Sequence, residues 1–358
     1  YPLIDGVVNG CPSHLLEPQR ANLLQYSEDF SQWTNSNTSD LSNQIISPNG
    51  TLNADKLITD NGSINGQITK TLSKSASAIT YNYSVFAKKG EWNRCNLYVS
   101  DSGSFANRVQ FFVDLENGDV IQATTAGAFS SASGSSENYG NGWYRFSVTF
   151  TTSTETAITA RIYSIDSVAT TGDGTSGVYI WGAQIEQGSY ATSYIPTNGS
   201  AVTRSAETAN GAGDASTFND SEGVLYLETS ALSNDLSERR FSLSDGTSSN
   251  VVRVGYTSVS NRIIAVVYNG SNQTVMTYTS PDITQNSKIA VKYKANDFAL
   301  WVDGVERNAD ANGSVFTANT LNSLSFNVGG ASHFYSETKD VRVYNIALTD
   351  AELQALTT

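Results

Sequence analysis

Apolar residues along this chain come in short aromatic or β-branched runs, each ended by Gly, Asn, Asp or Ser. That pattern predicts strands and turns rather than helices, in the arrangement of an all-β sandwich. One series of strands is expected at 81–87, 108–114, 143–150, 157–163 and 178–185. A second is expected at 223–229, 251–256, 263–268, 274–279, 288–293, 298–302, 323–328 and 341–344. Between them, 201–220 is rich in Ala, Thr, Asn and Gly with no alternation to bury, the signature of a linker. The predicted organisation is an extended N-terminal arm over 1–20, a first sandwich over 21–205, a linker over 206–220 and a second sandwich over 221–358. Pro2, Pro12 and Pro18 keep the arm out of packed elements, leaving it free to lie on a neighbouring subunit. The single helix signal is at the end of the chain, where Thr349 and Glu352 form a capping box ahead of Leu353 and Leu356. That helix is expected to dock on the second sandwich.

Composition changes the picture in three ways. Only 15% of the 358 residues are charged, against roughly 25% in an average soluble protein, so the surface is polar but largely uncharged. Twenty-one basic against 34 acidic residues leave a net charge of −13, which repels nucleic-acid phosphates and anionic lipid headgroups. No run approaches the roughly 18 apolar residues of a membrane span, so no membrane insertion is expected. The two cysteines, Cys11 and Cys95, are too few and too scattered for a disulfide framework or a zinc site. Whether they pair is open.

Four strings carry a resemblance. HLLEPQRANLLQYSEDFSQW, SPNGTLNADKL, GNGWYRFSVTF and YIWGAQIEQGSYATSYIPTNGSAVTR occur between 11 and 205, in the order and rough spacing found in tail and other surface proteins of bacteriophages. Many members of that family have Thr where this chain has Ala21. The resemblance implies a jelly-roll sandwich similar to carbohydrate-binding modules, with the Asn22–Leu24 segment lying near a closing strand around Trp181. Further along, ALWVDGVERN, LSFNVGG and KDVRVYNIALTDAELQAL resemble the closing hairpin, glycine turn and last strand with helix of laminin G-like, concanavalin A-like sandwiches. Asp303-Gly304 between apolar runs is itself a type I′ hairpin signal. The expected fold is therefore two β-sandwich jelly rolls in tandem, carbohydrate-binding-module-like and then concanavalin A-like, with a short C-terminal helix.

Sugar recognition in such folds uses an exposed flat aromatic against the apolar face of a pyranose, with polar side chains taking the hydroxyls. Trp143 and Trp181 sit among apolar neighbours and are expected in the core. Trp92, flanked by Lys88-Lys89-Gly90-Glu91 and Asn93-Arg94, has the polar setting of an exposed indole. It is the expected stacking residue, with Arg94 and Tyr98 beside it. In the second sandwich, His333 and Tyr335 follow a Gly-Gly pair and are expected at a binding rim. Sandwiches of both kinds often carry calcium, which prefers six to eight oxygens. Glu28, Asp29 and Asp245 are the expected carboxylate ligands of a structural ion.

No ExDxxE or GxSxG string occurs, and His14 and His333 are the two histidines available as bases, so no enzyme is expected. The functional expectation is a non-enzymatic phage tail or virion-surface protein that is extracellular and binds host cell-surface polysaccharide. It is expected to contact other virion proteins as a homo-oligomer, with a trimer favoured. The alternatives are a structural virion component making protein contacts only, or a secreted bacterial protein that binds or degrades polysaccharide.

Overall fold

The computed structural model describes residues 13–103, 105–165 and 171–358, and the backbone of residues 3–4 and 7–8. The earlier part of the expected arm and Cys11 lie outside the described residues. The chain forms two compact units, one built from Gln19–Ser205 and the other from Ala206–Thr358 joined by the segment around His14–Leu16. Both are antiparallel β-sandwiches, and the one α-helix among the described residues is Asp350–Thr357.

The first unit faces two six-stranded sheets against each other. One runs Val120–Ala126, Arg108–Asp114, Arg94–Asp101, Ala157–Ile165, Gln67–Ser73 and Thr34–Ser36 in spatial order. The other runs Ser130–Gly140, Trp143–Thr151, Thr80–Lys89, Gly177–Gln187, Leu52–Thr59 and Thr38–Ile46. Alternation decides which residues meet inside. Cys95, Leu97 and Val99 of the first sheet are sealed in a core with Tyr83, Val85, Phe146 and Ile180 of the second. Arg94, Asn96, Tyr98 and Ser100 therefore face away from that core. Burial pushes the Cys95 thiol up to about 12, so it is unreactive in the folded protein. Trp143 and Trp181 are buried as expected, though in a smaller cluster with Phe86 on the outer side of their sheet.

The second unit packs a six-stranded sheet on a five-stranded one, around Leu225, Leu227, Phe241, Leu243, Val291 and Leu300. Asp303 and Gly304 both have positive φ, 51° and 73°, the backbone of a type I′ turn, and join Phe298–Val302 to Val305–Asp310. The C-terminal helix covers the outer face of the six-stranded sheet, where Leu353 is sealed against Trp301, Val224 and Ala290. Its capping box is complete: the Thr349 hydroxyl accepts from Glu352 N, and the Glu352 carboxylate accepts from Thr349 N. Thr349→Ala removes one side of that exchange and is expected to cost about 1 kcal/mol. In a thermal melt, the second unit should unfold a few degrees earlier.

Two segments differ from the sequence expectation. His14–Leu16 is not part of a free arm but the edge strand of the second unit, paired with Ser336–Thr338. The driving force is an open sheet edge together with Leu16, which is buried to 3%. The expected linker is also partly packed. Ala212 bridges to Leu324, Phe326 N donates to Ala209 O, and Phe218 joins the core.

Candidate functional site

The outward face of the Arg94–Asp101 sheet carries a cleft of about 380 Å3. Cross-strand register builds it. Asn96 stands opposite Phe112 on one side and Tyr163 on the other, while Tyr98 stands between Gln110 and Arg161. Tyr163 in turn faces Gln67. The lining is aromatic and amide apart from Ile165, and no charged side chain is among the described lining residues. Tyr98 and Tyr163 meet edge to face at 5.9 Å.

Arg161 supports the floor. It is 5% exposed, donates to Ser100 Oγ at 2.8 Å, and lies 5.3 Å from the Tyr98 ring centroid and 4.4 Å from that of Phe105. A guanidinium held between two rings fixes their orientation through cation–π attraction. Burial lowers the Arg161 pKa and raises those of Tyr98 and Tyr163.

Phe105 is the exposed part of the cleft, at 47%. Its backbone is tied by the Asp101 carboxylate, which accepts from Phe105 N at 2.8 Å and Asn107 N at 3.2 Å, and by Arg108, which donates to Phe105 O. Asn96 Oδ1 and Gln67 Oε1 are buried without a hydrogen-bond partner. Two amide oxygens of this kind are acceptors held ready for a ligand's hydroxyls.

Of the sequence-predicted binding residues, Tyr98 lines this cleft. Arg94 lies on the same face, half-buried, opposite the lining residue Ile165, and its Nε has no partner. Trp92 is not the exposed indole its sequence setting suggests. Its indole is 7% exposed and belongs to the core, because residues 90–93 cross from one sheet to the other and the connection needs an apolar plug at the end of the sandwich. Hydrogen bonds from Trp92 N to Gly177 O and from Gly90 N to Trp92 O hold the crossing in place. His333 and Tyr335 belong to the second unit. They are half-buried and stack on each other at 5.6 Å, while the intervening Phe334 is buried against Tyr256.

Asp245 lies in the turn between Arg239–Ser244 and Asn250–Tyr256 of the second unit. Its carboxylate accepts from Thr247 N, Thr247 Oγ1 and Asn250 Nδ2. Against the opposing effect of partial burial, these bonds hold its pKa below the usual carboxylate value. Glu28 and Asp29 line a larger depression of about 710 Å3 with Asn53 and Asp55. Phe105, Phe112, Tyr163, Asn96, Gln67 and Gln110 were not singled out from the sequence. The available signal was the alternation in RCNLYVS, RVQFFVD and ARIY, which puts polar and aromatic residues on every second position of three strands.

No curated protein matches the chain. Among solved structures, a carbohydrate-binding module of a Ruminococcus gnavus sialidase (IT-sialidase CBM40 bound to alpha2,3 sialyllactose) is similar at 16% identity and a TM-score of 0.35, over 42% of this chain and 97% of that one. Domain 4 of AbnA, an extracellular arabinanase from Geobacillus stearothermophilus in complex with arabinotriose, is similar at 15% identity and a TM-score of 0.30, over 48% and 81%. Domains LG4-5 of the mouse laminin alpha1 chain are similar at 12% identity and a TM-score of 0.28, over 81% and 90%. Residues 229–354, which make up most of the second sandwich, match the concanavalin A-like lectin/glucanases superfamily.

Proposed function

We propose that the chain is a non-catalytic glycan-binding protein whose sugar site is the Tyr98 cleft of the first sandwich. The observation that carries this reading is the lining itself. Phe105 offers a half-exposed ring, and Asn96 and Gln67 offer buried acceptors, which together suit the two sides of a pyranose. The match of residues 229–354 to a superfamily that includes lectins supports a carbohydrate partner for the protein as a whole. The low charge of the surface supports a neutral polymer over a polyanion.

The setting we propose is a phage tail or virion surface outside the host cell, where the partner is host cell-surface polysaccharide. Its support is the resemblance of residues 11–205 to phage surface proteins. Individual sites of this shallow kind bind weakly, so several copies in a homo-oligomer, a trimer in our reading, would supply avidity. A second reading, a structural component bound to other virion proteins, is favoured by Ile46 and Leu52, exposed at 61% and 62% beside Trp143. A glycan array probed with the intact chain separates the two. Retention of host polysaccharides supports the first reading. Failure to bind any glycan by a folded, assembled protein leaves the second.

A further inference from the structure

A separate pocket of about 250 Å3 lies on the outward face of the other sheet of the first unit. Cross-strand register builds it, as it builds the Tyr98 cleft. Across Ser130–Gly140, Trp143–Thr151 and Thr80–Lys89, one row sets Ser133 beside Thr149 and Asn82, and the next sets Ser135 beside Ser147 and Ser84. Glu137 stands opposite Arg145 at one end. Tyr190 completes the lining, with the Arg20 guanidinium 5.4 Å from its ring centroid.

Two buried polar side chains of this pocket each leave one atom unpaired. Asn82, 2% exposed, donates Nδ2 to Thr149 Oγ1 at 2.9 Å, which fixes the amide and leaves Oδ1 without a donor. Arg145, 4% exposed, donates Nη1 to Thr192 O at 2.7 Å and Nη2 to Ser84 Oγ at 3.0 Å. Those bonds fix the guanidinium and leave Nε without an acceptor. Buried polar atoms without a partner are costly, so an acceptor and a donor held ready in one pocket call for a ligand that supplies both. Sugar hydroxyls do so. Charge narrows the choice: Arg145 disfavours a cation and Glu137 disfavours an anion, which leaves a neutral, polyhydroxylated ligand. Size narrows it again. The volume falls below the roughly 300 to 1,000 Å3 of sites for drug-sized molecules, leaving room for one sugar ring and none for a peptide segment.

We propose that the Asn82–Arg145 pocket is a second sugar site that takes a single neutral sugar ring, with Asn82 Oδ1 and Arg145 Nε meeting its hydroxyls and Tyr190 its apolar side. The inference rests on the reading of the chain as a glycan-binding protein, but not on the Tyr98 cleft being a sugar site. Because the two sites lie on the outer faces of opposite sheets of one sandwich, a single chain can bridge two glycan branches and gain avidity without oligomerising.

The test is saturation-transfer difference NMR on the intact chain with glucose, galactose, mannose and N-acetylglucosamine. Each is offered up to about 20 mM, since a ligand this small binds in the millimolar range. Ser135→Ile plugs the pocket from an exposed position on an edge strand, where the core is not disturbed, and Ser147→Val removes a hydroxyl from the lining. Phe105→Ala reports on the Tyr98 cleft. At least one sugar should give a signal in wild type that persists in Phe105→Ala and falls about tenfold in Ser135→Ile and in Ser147→Val, with melting curves showing each variant folded. That result supports the second site even if the Tyr98 cleft binds nothing. The proposal is overturned if no sugar gives a signal with folded wild type, which leaves the pocket to water and the Tyr98 cleft to the glycan array. It is also overturned if every signal is lost in Phe105→Ala and unchanged in Ser135→Ile, which leaves the Tyr98 cleft as the site.

Discussion

Trp92→Ala is expected to lower the stability of the first sandwich by about 3 to 5 kcal/mol, the range for deleting a large buried aromatic. A domain of this kind is stable by only about 5 to 15 kcal/mol, so the variant should be partly unfolded at 37 °C. The cause is the cavity left at the end of the core, where the indole shares one buried cluster with Leu97, Val113 and Val178 and where the crossing at residues 90–93 is tied to Gly177. Urea unfolding followed by near-ultraviolet circular dichroism measures it. A variant with unchanged stability and lost glycan binding would put the indole back on the surface, contrary to the structure.

Phe105→Ala should do the opposite. The ring is 47% exposed, and its removal costs chiefly the cation–π contact with Arg161, about 0.5 to 1 kcal/mol, so the melting temperature should fall by no more than a few degrees. Glycan affinity should fall about tenfold or more, since losing a stacked aromatic face at a small site is worth about 1.4 kcal/mol or above. The measurement is titration with whichever polysaccharide the array retains, on wild type and variant side by side. Unchanged affinity for Phe105→Ala would remove the Tyr98 cleft as the sugar site while leaving the fold untouched. Taken as a pair, the two variants separate a residue that holds the sandwich together from one that meets the ligand.

Much of the architecture was legible because it is written in local chemistry. The Asp303-Gly304 turn needs two residues that accept positive φ, and the Thr349 and Glu352 cap needs a hydroxyl and a carboxylate three positions apart. Neither depends on distant parts of the chain. Strands without a hydrophobic pattern were not legible: Ser130–Gly140 is almost wholly exposed and is held at a sheet edge by backbone pairing with Trp143–Thr151. His14–Leu16 was read as part of an arm for the same reason, since a short edge strand is recruited by its partner's open backbone rather than by its own propensity.

The site divides along the same line. Tyr98 was picked out as a neighbour of Trp92, but it belongs to the cleft because its strand alternates, and Trp92 does not because its loop crosses between sheets. A polar neighbourhood in sequence spoke for exposure of the indole, and the crossing overrode it. Local pattern alone reads the chain as all-β, gives most of its strands a core face and an outer face, and marks where the Asp303-Gly304 turn and the C-terminal helix begin. That Asn96, Tyr163 and Gln67 share one cleft follows from the folded chain alone. The physical reason is range: turns and caps are settled within a few residues, whereas a binding face is assembled by strands far apart in the chain, and cross-strand register fixes which side chains meet.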